Sequence, residues 1–131
     1  MDRLVVDASI LAAFFIGEES SEDIEIILET VSEIHAPLFW KFEVANAIWR
    51  RKEISEEKGK WLIERIWEFP ISSETSTKEA TEAFHISRKY NLPFYDSSYI
   101  AMAKQFNIAL WTFDKLQATA ALKAGVLLWE K

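Results

Sequence analysis

The chain contains no cysteine, which removes disulfides, thiolate nucleophiles and Cys-ligated zinc or iron together. Any bound metal must then be held by oxygen or histidine. Only two histidines are present, His35 and His85, and neither has a carboxylate or second histidine at ligand spacing, so packing or surface roles are expected for both. Three glycines leave no phosphate-cradling loop of the GxGxxG or GxxxxGK kind, which disfavours nucleotide-cofactor folds built on such loops. No uncharged run reaches the length of a membrane span, and Met1-Asp2-Arg3 leads into a strand rather than a basic region and a long apolar stretch. A soluble, cytoplasmic protein without a membrane partner is expected.

Positive charge is also in deficit. Fifteen bases against 21 acids give a net charge of −6, which argues against non-specific coating of nucleic acid. An enzyme acting on nucleic acid is still compatible with it, because divalent cations would neutralise clustered acids. The bases that cluster are Arg50-Arg51-Lys52, Lys58 with Lys60, and Arg88-Lys89. Solvated helix ends explain each of these clusters equally well when it is taken alone.

What the chain has in quantity is hydrophobic residues, half of its 131 positions. That suits one domain spanning 1–131, able to bury roughly two-thirds of its unfolded surface. Short apolar runs alternate with helical stretches, the pattern of a parallel sheet covered by helices. Strands are expected at residues 3–6, 34–36, 71–73, 108–111 and 126–129. Helices are expected at 9–15, 22–31, 38–52, 55–67, 76–90, 97–106 and 115–124, with Gly17 and Gly125 as stops and Ser55 and Ser76 as caps.

Four acids fall in apolar settings near the ends of these elements: Asp7 after RLVV, Glu43 in FWKFEVANAIW, Asp96 in PFYDSSYIAMA and Asp114 in ALWTFDK. Asp7 and Asp114 follow strands and so point to the carboxyl edge of the sheet, where open parallel sheets bind ligands. Asp96 stands at a helix entry, where capping is its plainest structural role. Glu43 lies within a helix beside the apolar face, where a surface position is the commoner fate of a glutamate. Together the four carboxylates would repel one another unless a cation were shared between them. Oxygen-only ligation with waters suits Mg²⁺ or Mn²⁺ better than zinc, and such ions promote phosphodiester hydrolysis without a serine, cysteine or histidine nucleophile.

These motifs, in this order, resemble the PIN domain, and most closely the VapC-type ribonuclease toxins of toxin–antitoxin pairs. VVDASIL resembles the opening strand and first acid, FEVANAI the helix motif, YDSSYIAMA the third motif, and LWTFDK followed by AALKAGV the closing one. The resemblance implies an α/β three-layer sandwich with a five-stranded parallel sheet, order 3-2-1-4-5, between helices. It makes Asp7, Glu43, Asp96 and Asp114 the metal ligands and catalytic acids, with Ser9, Asn46 and Thr112 in support. It implies one or two Mg²⁺ or Mn²⁺ ions, a single-stranded RNA substrate, a cognate antitoxin and a homodimer. One departure stands out: many relatives carry a further acid shortly after the fourth, where this chain has Leu116-Gln117.

Trp40, Trp49, Trp61 and Trp67, on two successive helices, offer a partner groove or stacking faces for bases, with core filling the commoner role for any one of them. A phosphoacceptor receiver domain would want an aspartate ending the strand at 71–73, which Ile71-Ser72-Ser73 lacks. A haloacid-dehalogenase-type phosphatase would want an aspartate where Ser9 stands. The stronger rival is a PIN-like protein-interaction module with little or no nuclease activity, since possession of ligands is not turnover.

Overall fold

Leu4, Val5 and Val6 have no exposed surface, as expected of a strand covered on both faces. They belong to β1 (Arg3–Val6), the middle strand in a computed structural model that describes residues 3–130. On one side β1 pairs in parallel with β2 (Glu33–His35), in the register Arg3↔Glu33, Leu4↔Ile34 and Val5↔His35. On the other it pairs in parallel with β3 (Leu110–Trp111), through Val5↔Leu110 and Val6↔Trp111.

The sheet among the described residues is three-stranded, not five-stranded as expected. The runs at 71–73 and 126–129 do reach its two edges in the expected spatial order. Each makes only one parallel bridge, His35↔Ser72 and Leu110↔Leu128. Ser72 exchanges two backbone hydrogen bonds, giving its N–H to Ile34 at 2.9 Å and accepting from Ala36 at 3.1 Å. Pro70 has no N–H to extend that ladder on the near side, and the cap at Ser76 follows soon after. Apolar periodicity marks such a run as extended but says nothing of how many of its residues pair.

Seven helices flank the sheet among the described residues: α1 (Ala8–Ile16), α2 (Ser21–Thr30), α3 (Trp40–Arg50), α4 (Glu56–Glu68), α5 (Thr77–Tyr90), α6 (Phe94–Phe106) and α7 (Lys115–Lys123). Their ends follow the expected chemistry. Ser55 Oγ accepts from Lys58 N, Ser76 Oγ accepts from Glu79 N, and Gly17 ends α1 in the left-handed region at φ 82°. Asn91 and Asn107 take the same left-handed role after α5 and α6, at φ 53° and 54°.

α1 packs against α2, α3 and α4, whereas α6 packs against α5, α7, β1 and β3. α6 is the most enclosed: every residue from Ser97 to Ala103 is buried. It starts three residues earlier than the expected 97, with Pro93 at its N-cap position. Ile100, fully buried on α6, anchors that packing. Ile100→Ala is expected to cost about 2–5 kcal/mol by the cavity it leaves, read as a lower denaturation midpoint at unchanged slope.

Candidate active site

The turn after β1 and the turn after β3 lie side by side, and a chain of hydrogen bonds ties them together. Asp7 caps α1: its Oδ1 accepts from Ser9 N at 3.1 Å, Ser9 Oγ at 2.6 Å and Ile10 N at 3.4 Å. Its Oδ2 accepts from Thr112 Oγ1 at 2.9 Å. That same Thr112 hydroxyl accepts from Asp114 N at 2.9 Å, and Ser9 Oγ accepts from Phe113 N at 3.1 Å. Asp114 in turn caps α7, its Oδ1 accepting from Leu116 N and Gln117 N. Of the four acids, the helix caps are therefore Asp7 and Asp114. Asp96, for which capping was the plainest role, is the third residue of α6 and caps nothing.

Asp7 is 5% exposed. Burial raises its pKa to about 6, outweighing the donors from Ser9, Thr112 and Ile10 that pull it down. Glu43, half-buried on α3, goes further, to about 7: burial is the largest cause, the Tyr99 hydroxyl opposes it, and the charges of Asp96 and Asp7 add to it. Asp96 is also raised, by burial and then by Asp114.

Glu43 thus stands within electrostatic reach of both Asp7 and Asp96, and Asp114 within reach of Asp96. Glu43 and Asp96 line a cleft of about 550 Å³ with Ser9, Asn46, Arg50 and the rings of Phe39, Phe42 and Tyr95. Asp114 lines a neighbouring depression that Asp96 shares. Among the described residues no three acids or histidines close into a ready ion cage. None of the described ion pairs involves these four acids either. Carboxylates without a cationic partner, two of them lining one open cleft and a third buried within reach of Glu43, fit a hard cation that keeps several waters and takes one or two carboxylates directly. Asp7, Glu43 and Asp96 are the residues that could hold it, with Asp114 beside them.

Two residues of this region escaped the sequence reading. Tyr99, 1% exposed, donates its hydroxyl to Glu43 Oε1 at 2.7 Å. Its signal was its place three residues after Asp96, on the same side of a helix. Gln117, with no exposed surface, gives Nε2 to the Asp96 carbonyl at 2.9 Å, while its Oε1 has no partner. Gln117 thus occupies buried space between the third and fourth acids. Of the tryptophans, Trp40 is wholly buried and joins no surface groove, whereas Trp49, Trp61 and Trp67 are exposed. His35 packs in the interior 5.1 Å from the Phe106 ring, and His85 lies exposed on α5.

The folded-state pKa values of Asp7 and Glu43 lie above their ordinary ones, so the stability they lend is full below about pH 4 and lost as pH rises through 6 and 7. For Asp7 the loss by neutral pH is on the order of 3 kcal/mol. The melting temperature of EDTA-treated protein, corrected for its other groups by comparison with Asp7→Asn, is expected to fall between pH 5 and pH 8. Asp7→Asn should stabilise the metal-free form at pH 8, and Mn²⁺ should raise the wild-type melting temperature there. Flat behaviour in all three measurements would mean that the acids lie apart in water. Tyr99→Phe is expected to cost about 1.5–3 kcal/mol at pH 8, where Glu43 is charged, and less at pH 5.

The family profile described as PIN domain matches residues 4–122. Ribonuclease VapC3 of Pyrobaculum aerophilum is 32% identical over 118 residues, covering 86% of this chain and 90% of that protein. Ribonuclease VapC1 of Mycobacterium tuberculosis is 27% identical over 125 residues, 92% of each chain. Two crystal structures share the fold. PAE2754 from Pyrobaculum aerophilum has a TM-score of 0.69 at 18% identity, over 91% of this chain and 84% of that one. FitAcB from Neisseria gonorrhoeae has a TM-score of 0.70 at 15% identity, over 97% and 96%. With its parallel sheet, its flanking helices and its acids at the carboxyl edge, the chain belongs to the PIN-domain family and is homologous to the VapC ribonucleases.

Proposed function

We propose that this protein is a Mg²⁺- or Mn²⁺-dependent endoribonuclease that hydrolyses phosphodiester bonds in single-stranded RNA, as the toxin of a toxin–antitoxin pair. The observation that carries the reading is Asp7, buried and uncompensated by any described ion pair, within reach of a Glu43 that shares one cleft with Asp96. The VapC relatives, named as ribonucleases, support RNA as the substrate class.

In this reading Asp7, Glu43 and Asp96 hold the cation, and Asp114 contributes from beside Asp96. Ser9 and Thr112 fix the Asp7 carboxylate by donating to opposite oxygens. Tyr99 fixes Glu43 in the same way. Asn46 lines the cleft where an RNA phosphate would lie, and Arg50 supplies a positive charge at its rim. When bound, the cation lowers the pKa of water to give a nucleophile and offsets charge on the phosphate. Leu116-Gln117 in place of a fifth acid favours one firmly held ion, with a second entering alongside substrate.

An antitoxin and a homodimer are the partners this reading carries. Phe42 and Trp67, 5.4 Å apart and both exposed on α3 and α4, provide an apolar face for the antitoxin. The rival reading, an interaction module with little nuclease activity, draws on the same face and on the open geometry of the acids.

A fluorogenic single-stranded RNA assay with added Mg²⁺ or Mn²⁺ separates the two. Wild type is expected to cleave only with metal, and Asp7→Asn and Asp96→Asn, once shown to fold, to fall to background. Metal-independent cleavage, or equal cleavage by all three proteins, would falsify the nuclease assignment.

A further inference from the structure

Asp96 lines two depressions: the cleft that holds Glu43 and Arg50, and a second of about 500 Å³ that holds Asp114. The two adjoin at that one carboxylate. The lining of the second also takes Lys89 and Tyr90 from the last turn of α5 and Lys123 from the last turn of α7. None of the described ion pairs joins either lysine to Asp96 or Asp114, and burial and Asp114 alone act on the Asp96 carboxyl group. One depression thus carries two acids and two cations that do not neutralise each other.

A lysine in the last turn of a helix needs no ligand to explain it, because it faces the negative pole of the helix dipole. Two observations set this pair apart. They converge from different helices: the Tyr90 hydroxyl donates to the Lys123 carbonyl at 3.2 Å, which pins the end of α5 to the end of α7. The Lys89 ammonium stands 5.5 Å from the centre of the same Tyr90 ring. They are also unpaired. Lys104, in the last turn of α6, meets Glu82 at 2.9 Å, and Arg65, in the last turn of α4, meets Glu68 at 3.6 Å. No described ion pair involves Lys89 or Lys123, in a chain with 21 acids for 15 bases. Both are exposed and open to an anion from outside.

Such an anion must lie on the lysines while the carboxylates of Asp96 and Asp114 share the same depression. An isolated carboxylate gains from the first pair and is repelled by the second. A nucleic-acid backbone avoids that conflict, because its phosphates repeat: one rests on the lysines while its neighbour is held at the acids through a cation. Arg50 lines only the first cleft and the two lysines only the second, so a strand passing over Asp96 from one to the other finds positive charge before and after the acids. Leu116, 77% exposed, and the half-buried Tyr90 ring offer apolar surface to its sugar and base.

We infer that Lys89 and Lys123 bind a backbone phosphate of the RNA, next along the strand to the phosphate held at the acids. The inference rests on the ribonuclease reading, and its test separates the two. Affinity for a fluorescein-labelled single-stranded RNA is measured by anisotropy with Ca²⁺ present, from about 50 to 200 mM salt. The double variant Lys89→Gln, Lys123→Gln is expected to bind roughly tenfold more weakly at the lower salt. Its log–log salt slope should be shallower by about 1.4, the value of two single-strand phosphate contacts. The control Lys58→Gln, Lys60→Gln removes equal charge from α4, lines neither depression and is expected to keep the wild-type slope. A neutral methylphosphonate moved along the strand should weaken wild type most at one linkage and leave the Lys89, Lys123 variant unaffected there.

No RNA binding, an unchanged slope, or equal losses in both double variants overturns the inference. Lysine-dependent binding of an oligoglutamate peptide more tightly than RNA would assign the depression to an acidic protein segment and overturn it as well. Cleavage with Mn²⁺ is followed in parallel. Cleavage by a lysine variant whose RNA affinity matches wild type leaves the nuclease and removes this subsite; a lysine-dependent slope without any cleavage leaves the subsite and removes the nuclease.

Discussion

The interaction on which the rest depends is the hold on Asp7. A carboxylate at the end of a fully buried strand is placed where water cannot solvate it, and donors from Ser9, Ile10 and Thr112 replace that water only in part. The remainder shows as a pKa pushed up towards neutrality. Keeping so uncomfortable a group requires surroundings that cannot relax around it. β1 is pinned on both sides by parallel partners, and α1 begins at once, with Asp7 as its cap. The same arrangement that stabilises the helix start fixes the acid within reach of Glu43, so structure and chemistry draw on one side chain.

Much of this was legible in the residues. Three of the five expected strands form, the other two runs reach the sheet's edges in the expected order, and Ser55, Ser76 and Gly17 act as their types suggest. The outer runs were over-read because a short apolar segment looks the same whether it forms a ladder or touches at one residue, as Ser72 does. For the acids, local pattern placed Asp7 and Asp114 after strands and left Asp96 between two roles, cap and ligand. α6 has no polar cap at all: Pro93 stands at its N-cap position, and the helix is held by burial rather than by capping. That leaves the Asp96 carboxylate free of the backbone, unlike those of Asp7 and Asp114.

Tyr99 and Gln117 lay beyond local pattern for another reason. Both matter through contacts across the chain, Tyr99 to a glutamate 56 residues away and Gln117 to a carbonyl 21 residues away. Side chains that steady other side chains leave no periodic trace, since their own position reads only as core. The exposed rings of α3 and α4 and the buried Trp40 between them show how one cluster of tryptophans divides into surface and core once helix faces are fixed.

The bond from Thr112 to Asp7 spans 105 positions of the chain. A growing polypeptide can form β1, β2 and α3 and bring Asp7 near Glu43, yet Asp7 Oδ2 has no donor until Thr112 arrives and β3 has joined β1. Closing that span is a separate entropic cost from forming the first turn of α1. The hold on Asp7 is therefore completed only once the segment that carries Thr112 has joined β1. A chain that stops before Thr112 lacks that donor, whatever else of the fold it can form.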